Sequence, residues 1–343
     1  MNSRRNSLQG ININYQKSPN LGLWLDKFIV DHDKDSQSKA KLVGEVTAFT
    51  EPRENWIYET YFENVWKPNL LNFGAKCRRA KVKNRLAINL GSESVLETSI
   101  ALHRLFGVPF IPGSALKGLV SHFLHQYGGA DWKIGSENHT VIFGNQDNAG
   151  FVTFHDALYV PKSGFNEKPL YADVMTTHHG EYYGSGNVPP ADWDSPNPVP
   201  FISTTGEFLI ALSGAADWVD LTFRILECAL QTEGIGAKTS SGYGRMFYSG
   251  NFIRSEAEVE AMQAERFNEL FAEMEKLVSG DKETKKAVKR KLKDFTKTLQ
   301  PGNAEHEEIA DALDDKAIEL GIKDELLKTK PDWFEPVRII VGD

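Results

Sequence analysis

Gly234-Ile-Gly-Ala-Lys-Thr-Ser-Ser-Gly-Tyr-Gly-Arg245 is the stretch of sequence on which the interpretation of the fold depends. Met246-Phe-Tyr248 follows it as a short apolar run, which is typical of a strand. An amphipathic helix is predicted before it, with its apolar positions at Trp218, Leu221, Ile225, Cys228 and Ala229. The sequence therefore predicts a glycine-rich loop, residues 234–245, that joins a helix to a strand.

The glycine-rich loop differs from two familiar phosphate-binding loops. A P-loop requires glycine directly before its lysine, whereas Lys238 follows Ala237, and a Rossmann loop has a third glycine where Thr239 stands. Both also lead from a strand into a helix, which is the reverse order. The many amide groups, flanked by Lys238 and Arg245 and joined by Tyr243, suit contact with a nucleic-acid backbone and stacking on a base. A glycine-rich turn without a ligand is the alternative.

A second helix is predicted to begin at Ile111-Pro-Gly-Ser114, with Ser114 as its N-cap, and to end at Gly128-Gly129. Lys117 lies in its first turn, where a cation opposes the helix dipole by about 0.3 to 1 kcal/mol. A phosphate bound by amides near Ser114 and by Lys117 would compensate for this cost. A lysine that simply points to solvent is the alternative. The predicted core stripe of this helix is Leu116, Leu119, Val120, Phe123, Leu124 and Tyr127.

The rest of the chain gives weaker patterns. Val95, Ser99, Leu102, Leu105 and Phe106 recur at helical spacing and predict a helix that ends before Gly107. We expect a short buried element at 21–30, an exposed loop at 31–41, strands within 151–160 and 206–212, and a long loop at 184–200.

Composition places the chain among globular proteins. Its 343 residues are 41% hydrophobic and 25% charged, which excludes wholesale disorder and a fibrous chain. The N-terminus lacks the apolar core of a secretory signal, so we expect a cytoplasmic protein. Cys77 and Cys228 offer neither a disulfide framework nor a cysteine-based zinc site.

Charge is distributed unevenly. Residues 255–343 carry 15 basic and 22 acidic side chains, a net charge of −7, out of −8 for the whole chain. Glu, Lys and Ala dominate this part, so we predict a domain at 1–254 and a mostly helical C-terminal extension at 255–343, with a basic helix at 282–297.

The segment 64–92 contains no acidic residue. A polyanion groove and a solvated surface are both compatible with this pattern. Its basic residues are Lys67, Lys76, Arg78, Arg79, Lys81, Lys83 and Arg85.

His178-His179 invites a metal site, with Asp173, His155 and Asp156 as further ligands. Adjacent histidines seldom chelate one metal, and the usual metal-binding spacings are missing from the sequence. We therefore expect no metal, no cofactor and no catalytic residue. A metal-independent ribonuclease that uses His178 or His179 with Tyr182 or Tyr183 stays open as an alternative.

Several motifs together resemble the RAMP superfamily of CRISPR proteins. They are Ile111-Pro-Gly-Ser-Ala-Leu-Lys-Gly118, Val141-Ile-Phe-Gly144, Gly150-Phe-Val-Thr-Phe-His-Asp-Ala157 and the glycine-rich loop. More narrowly, Leu21-Gly-Leu-Trp-Leu-Asp-Lys27, Asp173-Val-Met-Thr-Thr-His-His179 and Pro190-Ala-Asp-Trp-Asp-Ser-Pro-Asn-Pro-Val199 resemble the sixth-subunit family of type III-B (Cmr) effector complexes. The resemblance covers residues 18–250 and leaves the helical extension unassigned.

This resemblance implies an α+β fold, a ferredoxin-like (RRM-related) core at the end of the effector's backbone filament. It also implies a non-catalytic subunit that holds the 3′ region of the guide RNA, with guide RNA, target RNA and backbone-filament subunits as partners. A protein-only adaptor is the remaining alternative. The predicted RNA-binding residues are Ser114, Lys117, Lys76, Arg78, Arg79, Lys81, Lys83, Arg85, His178, His179, Gly234, Gly236, Lys238, Thr239, Ser240, Ser241, Gly242, Tyr243, Gly244 and Arg245.

Overall fold

A computed structural model of the protein describes residues 6–15, 19–30, 36–54, 56–177, 189, 191, 197–255, 257–259, 290, 293, 304–319, 321–329, 334, 335, 337 and 338. The chain forms two compact units, Met1–Ser255 and Glu256–Asp343.

The first unit contains seven α-helices and eight strands within its described residues. Its α-helices are α1 (Leu21–Lys27), α2 (Ser36–Thr47), α3 (Ile57–Tyr61), α4 (Lys67–Asn72), α5 (Gly113–Tyr127), α6 (Glu137–Phe143) and α7 (Ala216–Thr232). Its strands are β1 (Lys76–Val82), β2 (Phe110–Ile111), β3 (Val152–Phe154), β4 (Ala157–Tyr159), β5 (Leu170–Thr177), β6 (Asn197–Thr204), β7 (Glu207–Gly214) and β8 (Met246–Tyr248). The unit is therefore a mixed helix-and-sheet fold.

The main sheet is antiparallel and is built around β7. Its strand order is β2-β4-β7-β1-β8, and β3 also pairs with β7. Cys77 of β1 lies opposite Ala211 of β7, and Ala80 lies opposite Tyr248 of β8. A continuous apolar run is expected of a strand that is covered on both faces. That run, Phe208, Leu209, Ile210, Ala211 and Leu212, is fully buried.

Two helices form a layer on this sheet. α5 packs against α7, and α7 packs against β7 and β8. The buried stripe of α7 runs along Val219, Phe223 and Leu226. Of the five positions predicted for this stripe only Ala229 is buried, and Cys228 is exposed, so the predicted face was wrong. The C-terminus of α7 leads into the glycine-rich loop, and the N-terminus of α5 lies across a cavity from that loop.

A second sheet is the β5–β6 hairpin. Its register runs from Leu170 opposite Thr204 to Thr177 opposite Asn197, and α2 packs against both strands. Leu86 and Thr204 exchange backbone hydrogen bonds at 2.9 Å in both directions. The chain segment after β1 therefore connects the hairpin to the main sheet.

Several predictions from the sequence are confirmed. α5 and α7 are helices, α5 ends at Gly128, and strands occur within 151–160, 206–212 and 246–248. The element predicted at 21–30 is α1, whose Leu21, Trp24 and Leu25 are buried. The loop predicted at 184–200 lies mostly outside the described residues, and its end belongs to β6.

The helix predicted from Val95 to Phe106 is wrong. Ala101 donates its amide hydrogen to the carbonyl of Ile88, and Phe110 donates to the carbonyl of Ala101. The segment is thus held in an extended, turn-rich conformation between neighbouring chain segments, and its backbone groups are unavailable for helical bonds. Its apolar residues recur every three or four positions because successive turns, and not a helix, bring them to the core.

The exposed loop predicted at 31–41 is wrong from Ser36 onward. α2 begins there and continues to Thr47, with Leu42, Val43 and Val46 buried. These apolar residues lie just beyond the charged stretch, so the stretch is the exposed first part of an amphipathic helix.

The described residues of the second unit are mostly helical. α8 (Ala304–Glu319) and α9 (Lys323–Thr329) contact each other, and Lys323 forms an ion pair with Asp314 at 2.6 Å. Of the predicted basic helix at 282–297, only Arg290 and Lys293 are described, and both are helical. Among the described helices of both units, none combines the length and the apolar character needed to cross a bilayer.

Candidate nucleic-acid interface

The glycine-rich loop is held against the segment that follows β1. Ala237 donates to the carbonyl of Ala87 at 2.7 Å, and Gly244 donates to the carbonyl of Arg85 at 2.8 Å. Gly236 has a φ of +88°, and a Cβ there would lie 2.4 Å from the carbonyl oxygen of Ala87. Only glycine fits this close backbone contact. The loop is therefore an ordered structure with a fixed shape.

The same loop leaves backbone donors available. In the described part of the chain, the amides of Gly236, Thr239 and Ser240 have no hydrogen-bond partner. Lys238 lies between them in the left-handed conformation, with a φ of 60°. Successive amides in alternating conformations form a concave anion-binding surface. The loop thus offers neutral donors and one cation to an anionic ligand.

A groove of about 550 Å³ separates the glycine-rich loop from the N-terminus of α5. We call it the central groove. Ser114 lines it on one side, and Gly234 and Gly236 line it on the other. The two features that the sequence suggested independently therefore share one cavity. Its remaining lining residues are Ile88, Asn89, Pro112, Ala115, Leu119, His122 and Ile235.

The N-terminus of α5 differs from its prediction in one detail. The helix begins at Gly113 with Pro112 as N-cap, so Ser114 lies inside the first turn and is not the cap. Asp156 caps the helix instead, because its Oδ1 accepts a hydrogen bond from the Gly113 amide at 2.8 Å. A carboxylate at this position interacts favourably with the helix dipole. The cost of Lys117 is therefore offset by Asp156, and no bound phosphate is needed for that purpose.

Lys117 is exposed and lies outside the central groove. It lines a neighbouring cavity of about 510 Å³ between α5 and residues of the segment 143–154, the 143–154 groove. Ser114 borders this groove too. Lys117 and the glycine-rich loop thus lie on either side of Ser114.

The structure does not bring the basic segment 76–85 into one groove. Neighbouring side chains of a strand point to opposite faces, so Lys76 and Arg78 lie on a different face from Arg79. Lys76 pairs with Asp220 of α7 at 2.6 Å, and Arg78 lies 3.7 Å from Glu227 of the same helix. On the other face, Arg79 lies 3.9 Å from Glu207. Lys81 and Lys83 are exposed.

Arg85 belongs to an aromatic cluster beside the glycine-rich loop. Its guanidinium carbon lies 3.8 Å from the ring centre of Tyr171, in a cation–π contact. The ring of Tyr243 lies 5.9 Å from that of Phe201, and the Lys238 Nζ lies 5.8 Å from the same Phe201 ring. Burial, followed by the charge of Asp173, raises the pKa of Tyr243. Tyr243 is therefore a packed and neutral side chain whose ring is only partly exposed.

Arg245 supports the end of a helix. Its guanidinium donates a hydrogen bond to the carbonyl of Thr232, the last residue of α7. Its backbone carbonyl accepts from the Lys83 amide at 2.8 Å. A cation near the last carbonyls of a helix interacts favourably with the dipole. The side chain thus has an internal role that sequence reasoning missed.

His178 and His179 lie outside the described residues, as do Tyr182 and Tyr183. Of the further ligands considered with them, Asp173 accepts a hydrogen bond from Ser203 at 2.5 Å, and the Nε2 of His155 lies 2.8 Å from the Ser213 hydroxyl. Within the ranges that the structure describes, no three His, Cys, Asp or Glu side chains are grouped so as to hold a metal ion.

Sequence reasoning also missed several residues that border the site. Asn89 lines the central groove and has an unusual φ of 65°. Phe201 follows a proline-rich stretch and gave no signal in the sequence. Of these three residues, only Tyr171 lies in a stretch with a recognisable pattern, the run of aromatic and hydroxyl side chains around the two histidines.

Comparison with known proteins gives one family model and two relatives that are similar to this chain. The model of a family described as the RAMP superfamily matches residues 79–247, which include α5, α7 and the glycine-rich loop. The CRISPR system Cmr subunit Cmr6 of Pyrococcus furiosus is 31% identical over 247 residues, covering 55% of this chain and 72% of the relative. The CRISPR system CMR subunit Cmr6 of Saccharolobus solfataricus is 27% identical over 96 residues, covering 28% of this chain and 31% of the relative.

Two solved structures were compared with this chain. A chain in the cryo-EM structure of the type III-B Cmr-beta bound to cognate target RNA has a TM-score of 0.50 at 20% identity, covering 66% of this chain and 79% of that one. At that identity the likeness concerns the fold. The crystal structure of Cmr6 from Pyrococcus furiosus is 32% identical with a TM-score of 0.34, covering 51% of this chain and 98% of that one.

Proposed function

This chain belongs to the Cmr6 family of the RAMP superfamily, and on that premise we propose that it is a non-catalytic RNA-binding and assembly subunit of a type III-B CRISPR effector complex. In this proposal the subunit works in the cytoplasm and holds the 3′ region of the guide RNA at the end of the backbone filament. Its partners are the guide RNA, the target RNA and neighbouring backbone subunits. The helix layer and the main sheet are its ferredoxin-like, RRM-related core.

The observation that carries this proposal is the central groove. Ser114 and the Gly234–Gly236 backbone face each other across it, and the amides of Ser114 and Gly236 have no hydrogen-bond partner in the described part of the chain. Phosphate oxygens accept hydrogen bonds from such amides, and a helix N-terminus adds a favourable dipole. The groove therefore suits a phosphate backbone.

The chemistry of the groove favours contact without sequence reading. Backbone amides and hydroxyl groups bind phosphate and ribose in the same way for every nucleotide, whereas sequence is read at base edges. A subunit that holds one guide RNA after another, each with a different sequence, needs this kind of contact. Lys117 borders the neighbouring 143–154 groove and Lys238 belongs to the glycine-rich loop, so neither lines the central groove but both add positive charge to its surroundings.

The experiment that tests the proposal is RNA binding by the purified full-length chain, followed by fluorescence anisotropy of a labelled single strand. Ser114→Glu adds a negative charge in the groove, and a glutamate in the first turn is compatible with the helix. Lys238→Asn removes a cation, and asparagine tolerates the left-handed conformation. The added carboxylate repels phosphate in the first variant, and the second loses a charge-assisted contact, so we expect about tenfold weaker binding for each variant.

Matched controls separate groove contacts from general charge effects. Ala40→Glu and Lys41→Asn make the same charge changes at exposed positions of α2, away from the groove. Binding that is weakened equally by the controls would contradict the proposed site. A parallel incubation in a metal chelator tests the ribonuclease alternative, because metal-independent cleavage of the RNA would overturn the non-catalytic role.

A further inference from the structure

Three cavities of the first unit meet end to end. The largest, about 580 Å³, lies between α1 and the segment 89–104, and we call it the α1 groove. Asn89 lines both the α1 groove and the central groove. Ser114 lines both the central groove and the 143–154 groove. One continuous path therefore runs over Asn89 and Ser114.

Apolar residues line all three grooves, and between them lie uncharged groups that form hydrogen bonds. Ser92, Ser94 and Ser99 line its α1 end, and Asn145, Gln146 and Asn148 line its other end. Its charged side chains balance at each end: Arg104 and Lys27 lie with Asp26 and Glu93, and Lys117 lies with Asp147. Short-range hydrogen bonds to phosphates, sugars and bases, and not a strong positive potential, would provide the contacts here.

Asn89 is suited to its place where two grooves meet. Its side-chain oxygen accepts a hydrogen bond from the Ser92 hydroxyl at 2.7 Å, which fixes the orientation of the amide group. Its NH₂ group has no partner within the described residues. The residue is exposed and has a φ of 65°, a left-handed conformation that asparagine tolerates. A fixed donor thus stands midway along the path.

We propose that the three grooves form one binding track for several consecutive nucleotides of a single-stranded RNA, with the strand passing over Asn89 and Ser114. This inference rests on the proposed function and adds the extent of the binding surface along the strand. Each cavity has the size of a small-molecule site, so each holds only a nucleotide or a few. Unpaired bases can enter such cavities, whereas the bases of a duplex are paired in its interior.

The track makes a prediction about length that a single site does not. Binding strengthens as the RNA is extended from a dinucleotide until it fills all three grooves, within the range of about 4 to 16 nucleotides seen for single-strand binders. A dinucleotide reaches the central groove alone. A long strand gains contacts in the α1 groove and in the 143–154 groove as well.

The test uses the full-length chain and a series of labelled uridine oligonucleotides. Arg104→Glu alters the α1 groove, and Gln146→Glu alters the 143–154 groove, at exposed side chains. We expect each to weaken binding of a long oligonucleotide about tenfold and to leave dinucleotide binding unchanged. Arg224→Glu on α7 and Gln126→Glu on α5 are the matched controls, because both positions are exposed and neither lines any of the three grooves.

The outcomes separate the track from the proposed function. If long and short oligonucleotides bind equally well and the two end variants match their controls, while Ser114→Glu still weakens binding, the track is wrong and the central groove stands. If Ser114→Glu has no effect, or the wild-type chain binds none of the oligonucleotides, both are overturned. A duplex of the same length that binds as tightly as the single strand would also contradict the track.

Discussion

The carboxylate of Asp156 accepts a hydrogen bond from the amide of Gly113 at 2.8 Å, so a side chain from the β3–β4 connection caps the first turn of α5. This bond fixes the helix whose N-terminus forms one wall of the central groove. It also puts a negative charge close to the place proposed for phosphate. The negative charge of Asp156 therefore stabilises the fold and weakens the binding of RNA.

Asp156→Asn allows the effect on stability and the effect on RNA affinity to be measured separately. Asparagine still accepts the hydrogen bond but loses the interaction of a negative charge with the helix dipole, so we expect the free energy of unfolding to fall by about 0.3 to 1 kcal/mol. RNA affinity should rise, because a repulsive charge is removed. Urea denaturation and anisotropy measure the two effects. A variant that is both less stable and weaker in binding would contradict this account of the cap.

Gly242 and Gly244 form a matched pair within the glycine-rich loop. Both have positive φ, +86° and +73°, so alanine at either costs about 1 to 2 kcal/mol for the left-handed conformation. A Cβ on Gly242 meets nothing within 4 Å, whereas a Cβ on Gly244 would lie 1.9 Å from the carbonyl oxygen of Ile235. Gly244→Ala should therefore cost about 1 to 3 kcal/mol more than Gly242→Ala in urea denaturation. Equal losses of unfolding free energy in the two variants would contradict the close packing of Gly244 against Ile235.

Glu51 should make stability depend on pH. Burial raises the pKa of its carboxyl group from 4.5 to about 7, although Tyr159 and the Lys162 amide donate hydrogen bonds to it. Between these two pH values the folded state holds a proton that the unfolded state has lost, so the free energy of unfolding falls as pH rises from about 4.5 to about 7. Above that range the loss is complete, on the order of 3 kcal/mol.

Glu51→Gln tests that assignment. Glutamine has no proton to lose, so we expect the decline between pH 4.5 and about 7 to flatten and the variant to be the more stable protein at higher pH. Urea denaturation across a pH series measures this. A decline of the same size in the variant would mean that another group is responsible.

The salt dependence of RNA binding should be shallow. Each phosphate neutralised on a single strand contributes about −0.7 to the slope of log K against log salt, so Lys117 and Lys238 together give about −1.4. If all seven basic residues of the segment 64–92 gripped phosphates, the slope would be near −5. Lys76, Arg78 and Arg79 lie next to acidic partners instead. A slope near the larger value would contradict the assignment to the central groove.

Much of the local structure could be predicted from sequence because it depends on local pattern. The helical character of α7 and the glycine stop at Gly128 are visible in the order of residues, and so is the strand after the glycine-rich loop. The buried face of α7 was assigned wrongly, because apolar residues lie all around this helix and only its packing shows which of them face the sheet. The segment 92–106 was misjudged because its backbone pairs with residues distant in sequence, such as Ile88, and spacing alone does not record such pairing.

The site itself was predicted only in pieces. Ser114 and the glycine-rich loop were each identified, but their meeting across one groove is a consequence of the packing of α5 on α7. The basic segment looked like a single surface in sequence. On a strand in the middle of the sheet it is divided between two faces, and its ion pairs join residues far apart in the chain, such as Lys76 and Asp220.

The central claim is that RNA lies in the groove beside Ser114, and site-specific disulfide capture tests it most directly. Ser114→Cys in a Cys228→Ser background leaves buried Cys77 as the other thiol. The probe is a single-stranded RNA with a mixed disulfide tethered to one phosphate, so the introduced thiolate bonds to the tethered sulfur and displaces the other sulfur as a thiol. Gln126→Cys, exposed on the same helix, is the control. We predict a covalent adduct at position 114 and little at 126. Equal capture at both positions, or none at 114, would contradict the account.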